Sequence, residues 1–180
     1  MIKRGAQKGF TLVEMLIAIT LFIIVAFISI GAILTIFSAN KKSQTSKTVV
    51  DNLNYTIESM VRNIRFGKTY HCGTGSPYNT PVNCSSGDTF FAVQSGSNTY
   101  IYRQNGNKIE YSTNGGSTYT DLTPPDVVIS YMRFYVFGAS TSDQLQPYVV
   151  VVIRGYVGNR PTTQTVFSLE TLISQRELDL

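Results

Sequence analysis

Gly9-Phe10-Thr11-Leu12-Val13-Glu14-Met15-Leu16 joins a short basic segment to a long apolar one, and the rest of the chain is organised around that junction. Residues 1–9 carry Lys3, Arg4 and Lys8 and no acid, so the positive-inside rule holds this end in the cytoplasm. Residues 15–40 are 26 positions without a charge. An apolar helix needs about 20 residues to cross the hydrocarbon core at about 1.5 Å per residue, so the stretch spans with length to spare. A secretory signal has a shorter apolar region, roughly 7–15 residues, ending in a small-residue cleavage site. The small-residue candidates here, Ser29-Ile30-Gly31 and Phe37-Ser38-Ala39, lie deep in the span or fit that pattern poorly.

The one charge at the head of this stretch is Glu14. Just inside the hydrocarbon edge an ionised carboxylate is costly unless a cation meets it. On a helix its neighbours are Phe10, Thr11, Ile17 and Ala18, none of them cationic. Cutting the Gly9-Phe10 bond would create an α-amino group that could serve, and in a helical array it would come from the neighbouring subunit. An ordinary signal anchor with an acid near the interface is the other reading of the same pattern.

The run Lys8-Gly9-Phe10-Thr11-Leu12-Val13-Glu14-Met15-Leu16-Ile17-Ala18 resembles the N-terminal cleavage and methylation motif of the type IV prepilin superfamily, which includes type IV pilins, type II secretion pseudopilins and competence pseudopilins. The resemblance covers about the first 30 residues. It implies that a membrane-embedded prepilin peptidase cuts after Gly9 and N-methylates Phe10, and that Glu14 registers the subunit during assembly. It also implies partners: other pilin or pseudopilin subunits, an inner-membrane assembly platform and membrane lipid. The localisation implied is a single pass of the inner membrane, with the head outside and assembled into a periplasmic or cell-surface filament.

Composition fits an anchored extracytoplasmic protein. Residues 41–180 are 140 positions, enough for one modest core. The formal charge of +4 includes the three cations of the leader, which leaves +1 after cleavage, so no nucleic acid partner is expected. The expected division is a leader at 1–9, a transmembrane helix at 10–40, an amphipathic continuation at 41–67 and a β-rich head at 68–180. In the continuation, Val50, Leu53, Ile57, Met60, Val61 and Ile64 recur at spacings of three and four, the apolar stripe of an amphipathic helix. No proline interrupts residues 10–66, so one helix of 57 residues, about 85 Å long, is allowed, with Gly67 as its C-cap. Gly31 is its softest point; a bend there and simple close packing are both open.

Beyond residue 68 the period becomes strand-like. Residues 89–93, 99–104 and 108–112 read as short strands, with Asn105-Gly106 as a hairpin signal, and residues 127–137, 148–157 and 165–173 as longer ones. The fold class expected is α+β, a long N-terminal helix whose apolar stripe covers an antiparallel sheet, which is also the pilin-like shape the resemblance implies. The pattern of residues 165–176 is similar to minor pseudopilins of the J type.

Cys72 and Cys84 enclose 11 residues rich in Gly, Ser, Pro and Asn. Outside the cytoplasm a disulfide is the simplest reading, worth about 3 kcal/mol by loop entropy. Because His71 adjoins Cys72 a metal site is the alternative, but two thiols and one imidazole fall short of four zinc ligands, and His71 reads as a loop residue without chemical duty. No cofactor and no enzymatic activity are expected. One histidine gives no convincing triad, and the carboxylates are not paired. Asp88, Asp121, Asp126 and Asp143 are too scattered to nominate a calcium site. A second class of function, adhesion or DNA uptake, would need an exposed aromatic or basic patch, for which Tyr100, Tyr102 and Arg103 are the candidates. A signal-anchored envelope enzyme is a third class.

Overall fold

The computed structural model describes residues 9–140, 142, 144–158 and 164–176; the side chains of 45, 46 and 48–50 are outside that description. Lys3, Arg4, Lys8, the side chain of Val50 and Asp143 therefore lie outside the described residues. The chain divides into two compact units, one ending at Gln44 and the other beginning at Thr45. One helix, α1 (Leu12–Arg65), is shared by both. Among the described residues nine strands follow: β1 (Tyr70–Cys72), β2 (Cys84–Asp88), β3 (Phe90–Ser95), β4 (Asn98–Asn105), β5 (Lys108–Ser112), β6 (Thr120–Asp121), β7 (Val127–Phe137), β8 (Tyr148–Val157) and β9 (Thr165–Ser174). The class is α+β, as expected.

In the first unit α1 starts from a capping threonine. Thr11 Oγ1 accepts the Glu14 N–H at 3.3 Å, and the Met15 N–H reaches the Thr11 carbonyl at 3.2 Å. Along residues 12–44 the helix is apolar enough to cross a bilayer, with a mean hydropathy of 2.9 in its best window and none of that window buried against protein. Its hydroxyls suit that setting. Thr20, Ser29, Thr35 and Ser38 each donate to the carbonyl four residues back, at 2.7, 2.8, 3.0 and 2.9 Å, so none presents an unpaired polar hydrogen to lipid.

The second unit contains two antiparallel sheets where one was expected. Five strands run in the order β1-β3-β4-β5-β6 and four in the order β2-β7-β8-β9. They divide between β6 and β7, and β2 leaves its sequence neighbours to join the smaller sheet, pairing with β7 with Cys84 opposite Val136. Between the sheets and the C-terminal turns of α1 lies the main core. Leu53, Met60 and Ile64 enter it from the helix, Phe91, Val93, Tyr102 and Ile109 from the larger sheet, and Met132, Phe134, Val149, Val151 and Ile153 from the smaller. Phe91 stacks on Phe134 across the sheets at 5.2 Å between centroids. Each buried helix side chain contributes about 1.5–3 kcal/mol by leaving water. The stripe also holds a polar residue that periodicity did not flag: Thr56 is buried, and its hydroxyl donates to the Leu122 carbonyl at 3.1 Å.

Alternation gives β7 and β8 their faces. Buried and half-buried residues alternate along both, and the expected bounds 127–137 and 148–157 are those observed. Ser130 is an extra residue between the pairs Ile129–Gly155 and Tyr131–Arg154, a β-bulge. Its freed groups are met by Gln104, whose Oε1 accepts the Met132 N–H at 3.0 Å and whose Nε2 donates to the Ile129 carbonyl at 3.4 Å. Gly155 is required opposite the bulge, because a Cβ there would lie 2.3 Å from the Val128 oxygen.

Three expectations are corrected. Gly67 is no left-handed cap: the last carbonyls of α1 are taken by the Gly67 N–H (3.1 Å) and Tyr70 hydroxyl (2.8 Å) at Ile64 and by the Arg176 N–H (2.9 Å) at Arg65. Glycine is needed there for proximity, since a Cβ would stand 2.0 Å from Val93 Cγ2. The β4–β5 turn is made by Gly106 and Asn107, with Asn105 paired to Lys108, one residue later than read from sequence. Finally, β1, β2 and β6 are strands that the sequence pattern does not announce, being short or polar.

Candidate functional site

Two regions carry the residues singled out from sequence. The first is the head of α1. Gly9, Phe10 and Glu14 are exposed there, and Phe10 is 79% exposed. With Thr11 as N-cap, Glu14 is the third helical residue, in a T-x-x-E pattern that was readable as a capping signature and was not used as one. The first turn of a helix presents unpaired N–H groups and the positive end of the backbone dipole, which favours a carboxylate there by about 0.3–1 kcal/mol. Glu14 thus has partial local compensation, and among the described residues no cationic side chain is in an ion pair with it. A Cβ added at Gly9 would meet nothing within 4 Å.

The second region is the cystine. Cys72 and Cys84 are joined, with Cα atoms 5.9 Å apart, as the loop spacing led one to expect. The bond ties β1 of the larger sheet to β2 of the smaller. The enclosed segment is less free than its composition suggested: the Val82 N–H donates to Tyr70 at 2.9 Å and the Cys72 N–H to Val82 at 3.2 Å, so the loop returns alongside β1. His71 is in β1 and buried, which corrects its reading as an idle loop residue. Its Nδ1 lies 2.7 Å from the Thr80 carbonyl, which can only accept, so this nitrogen carries the proton. The ring packs edge-on to Tyr78 at 5.5 Å. With both sulfurs bonded to each other, the metal alternative loses its thiolates.

The scattered acids stay apart. Asp88 accepts the Phe90 N–H at 2.9 Å, Asp121 pairs with Lys108, and Asp126 is exposed. Among the described residues no three His, Cys, Asp or Glu side chains come together as a metal set.

Tyr100, Tyr102 and Arg103 do not form an exposed patch. Tyr102 is buried, and its hydroxyl accepts from the Asn63 amide at 2.9 Å; burial pushes its pKa from 10.0 up to about 12. Arg103 pairs with Glu110 at 2.7 Å and stacks on Tyr119 at 3.5 Å. The aromatic and basic face is elsewhere, on the outer side of the smaller sheet. Tyr131, Arg133 and Tyr135 alternate outward on β7, and Tyr148, Arg154 and Tyr156 on β8. Tyr131 lies between the Arg133 and Arg154 guanidinium groups, at 5.5 and 5.4 Å from its ring centroid. Its hydroxyl meets that of Tyr135 at 2.9 Å, and this bond raises the Tyr135 pKa. Sequence signalled this face as alternation but not which of the sheet's two faces would turn away from the core.

Residues 4–30 match the prokaryotic N-terminal methylation motif. The match takes in Gly9, Phe10, Glu14 and most of the apolar run, and it supports a place in the type IV prepilin superfamily, whose filament subunits are typically not enzymes. No curated protein and no solved structure matches the chain.

Proposed function

We propose that the chain is a structural and assembly subunit of a type II secretion pseudopilus or a related type IV filament, cut after Gly9 by prepilin peptidase and N-methylated on Phe10. The observation that carries this reading is the methylation motif at residues 4–30, which runs into an unburied apolar helix. The work of such a subunit is packing and registry. Glu14, at the rim of the hydrocarbon, pairs with the α-amino group of a neighbouring Phe10, and because an unpaired carboxylate there is costly, one axial offset between subunits is favoured. The partners are the peptidase, sister subunits and an inner-membrane platform. The finer assignment to a minor pseudopilin of the J type is supported by the long helix, the successive hairpins and the sequence of β9.

Intact mass and N-terminal sequencing of protein from a host with active peptidase should give a methylated Phe10 terminus. Recovery of chain still carrying residues 1–9 overturns the processing. Glu14→Ala should leave cleavage and the melting of the second unit unchanged while lowering crosslinking to sister subunits and filament yield. Assembly at the unsubstituted level would remove the charge pairing and leave Glu14 only its place in the first turn. A second reading, adhesion or DNA uptake by a filament-borne subunit, is favoured by one observation, the outward-turned Tyr131, Arg133, Tyr135, Tyr148, Arg154 and Tyr156 face.

A further inference from the structure

A cleft of about 410 Å³ opens beside the last turns of α1, where the segment after β9 crosses the helix end. Arg62, Arg65 and Arg176 line it together with Tyr55, Phe66 and a single acid, Glu58. Arg176 is held there by its own backbone, which donates to the Arg65 carbonyl at 2.9 Å, and its guanidinium lies 5.5 Å over the Phe66 ring. Among the described residues, none of the three guanidinium groups is in an ion pair. The two rings face solvent, Tyr55 at 75% exposure and Phe66 at 49%.

We infer that this cleft is a docking site for an acidic polypeptide segment in which carboxylates adjoin apolar side chains. Three cations against one acid leave an excess of two positive charges to be met from outside the site. Each guanidinium offers a planar fork that takes a carboxylate through two parallel N–H···O bonds. Tyr55 and Phe66 supply the apolar part: rigid rings lose little freedom on binding, and aromatic residues with arginine are the commonest anchors of protein interfaces. The volume lies within the range of about 300–1,000 Å³ typical of ligand clefts, room for a few side chains. A nucleic acid or an anionic bilayer is recognised by an extended basic field, whereas here Glu58 interrupts the charge and the arginines converge on one opening. Discrete carboxylates are the better match. The inference stands independently of the filament reading.

The full chain in uncharged maltoside micelles, titrated with a rhodamine-labelled peptide of alternating Glu and Leu and followed by anisotropy, tests it. Saturable binding is expected, with the Gln-Leu peptide silent. Because each removes a charge-assisted contact, Arg62→Gln with Arg65→Gln, and Arg176→Gln separately, should weaken binding about tenfold or more. Arg62→Lys keeps the charge without the fork and should lose less than Arg62→Gln. Arg154→Gln, on the outer sheet face, should bind as the unsubstituted chain. Absence of saturation, equal affinity of the Gln-Leu peptide, unchanged affinity in the arginine variants, or tighter binding of single-stranded DNA or phosphatidylglycerol vesicles through these same arginines overturns the proposal.

Discussion

Tyr102 places a hydroxyl inside an apolar cluster, where its partner is the Asn63 amide on α1. Burial is the larger effect on it, disfavouring the phenolate and raising the pKa from 10.0 to about 12, while the Asn63 hydrogen bond and Arg62 pull the other way. The folded state therefore holds this proton more tightly than the unfolded chain does. Its contribution to stability is complete below pH 10 and is lost as pH rises through about 12, so alkaline unfolding should begin in that window. Ultraviolet titration of phenolate absorbance should show one tyrosine ionising late and together with loss of structure. Tyr102→Phe should remove that late step and cost about 1 kcal/mol at neutral pH, because the Asn63 donor is left without its acceptor. A tyrosine in a strand of alternating residues gives no sign of which neighbour will meet its hydroxyl. Glu14 is the opposite case, since its spacing from Gly9 and from Thr11 is written in the chain and both features are local.

At the scale of elements, long periodic segments were legible and short polar ones were not. The spacing of Leu53, Met60 and Ile64 announced the buried side of α1, and the alternation in β7 and β8 gave their bounds, because each pattern repeats often enough to outweigh its exceptions. Nothing of that kind marks β1, β2 or β6, which have three, five and two residues and exist only because β3, β7 and β5 offer them an edge. The bulge at Ser130 was equally hidden, and its cost falls on Gly155. Gly155→Ala would drive a methyl group into the Val128 carbonyl and against Phe167, whose Cζ would be 2.8 Å away. Backbone cannot rotate aside as a side chain does, so a loss of about 1–3 kcal/mol is expected in chemical denaturation. Gly31→Ala, with open space around it, is the control and should not destabilise the fold.

Over the whole molecule, the α+β class and the N-terminal junction could be read in advance, whereas the division into two sheets could not, because no local pattern tells that β6 and β7 stay unpaired or that β2 leaves the chain order to pair with β7. That departure places the cystine between the sheets rather than across an idle loop. In the filament role proposed above, load entering the second unit along α1 would reach β1 only a few residues later. At Cys72 the load path forks. One branch is the chain through residues 73–83; the other is a covalent strut into β2 and from there into β7, which is paired along its length with β8. Tension is thereby shared with the second sheet before the first has to peel. When the unit is pulled from its helix end, the oxidised protein should rupture at higher force than the reduced one, and its released length should be shorter by about 35 Å, the reach of the bypassed segment at roughly 3.5 Å per residue less the span of the bridge. Single-molecule extension with and without reductant measures both, and equal rupture forces would mean that the strut carries no load.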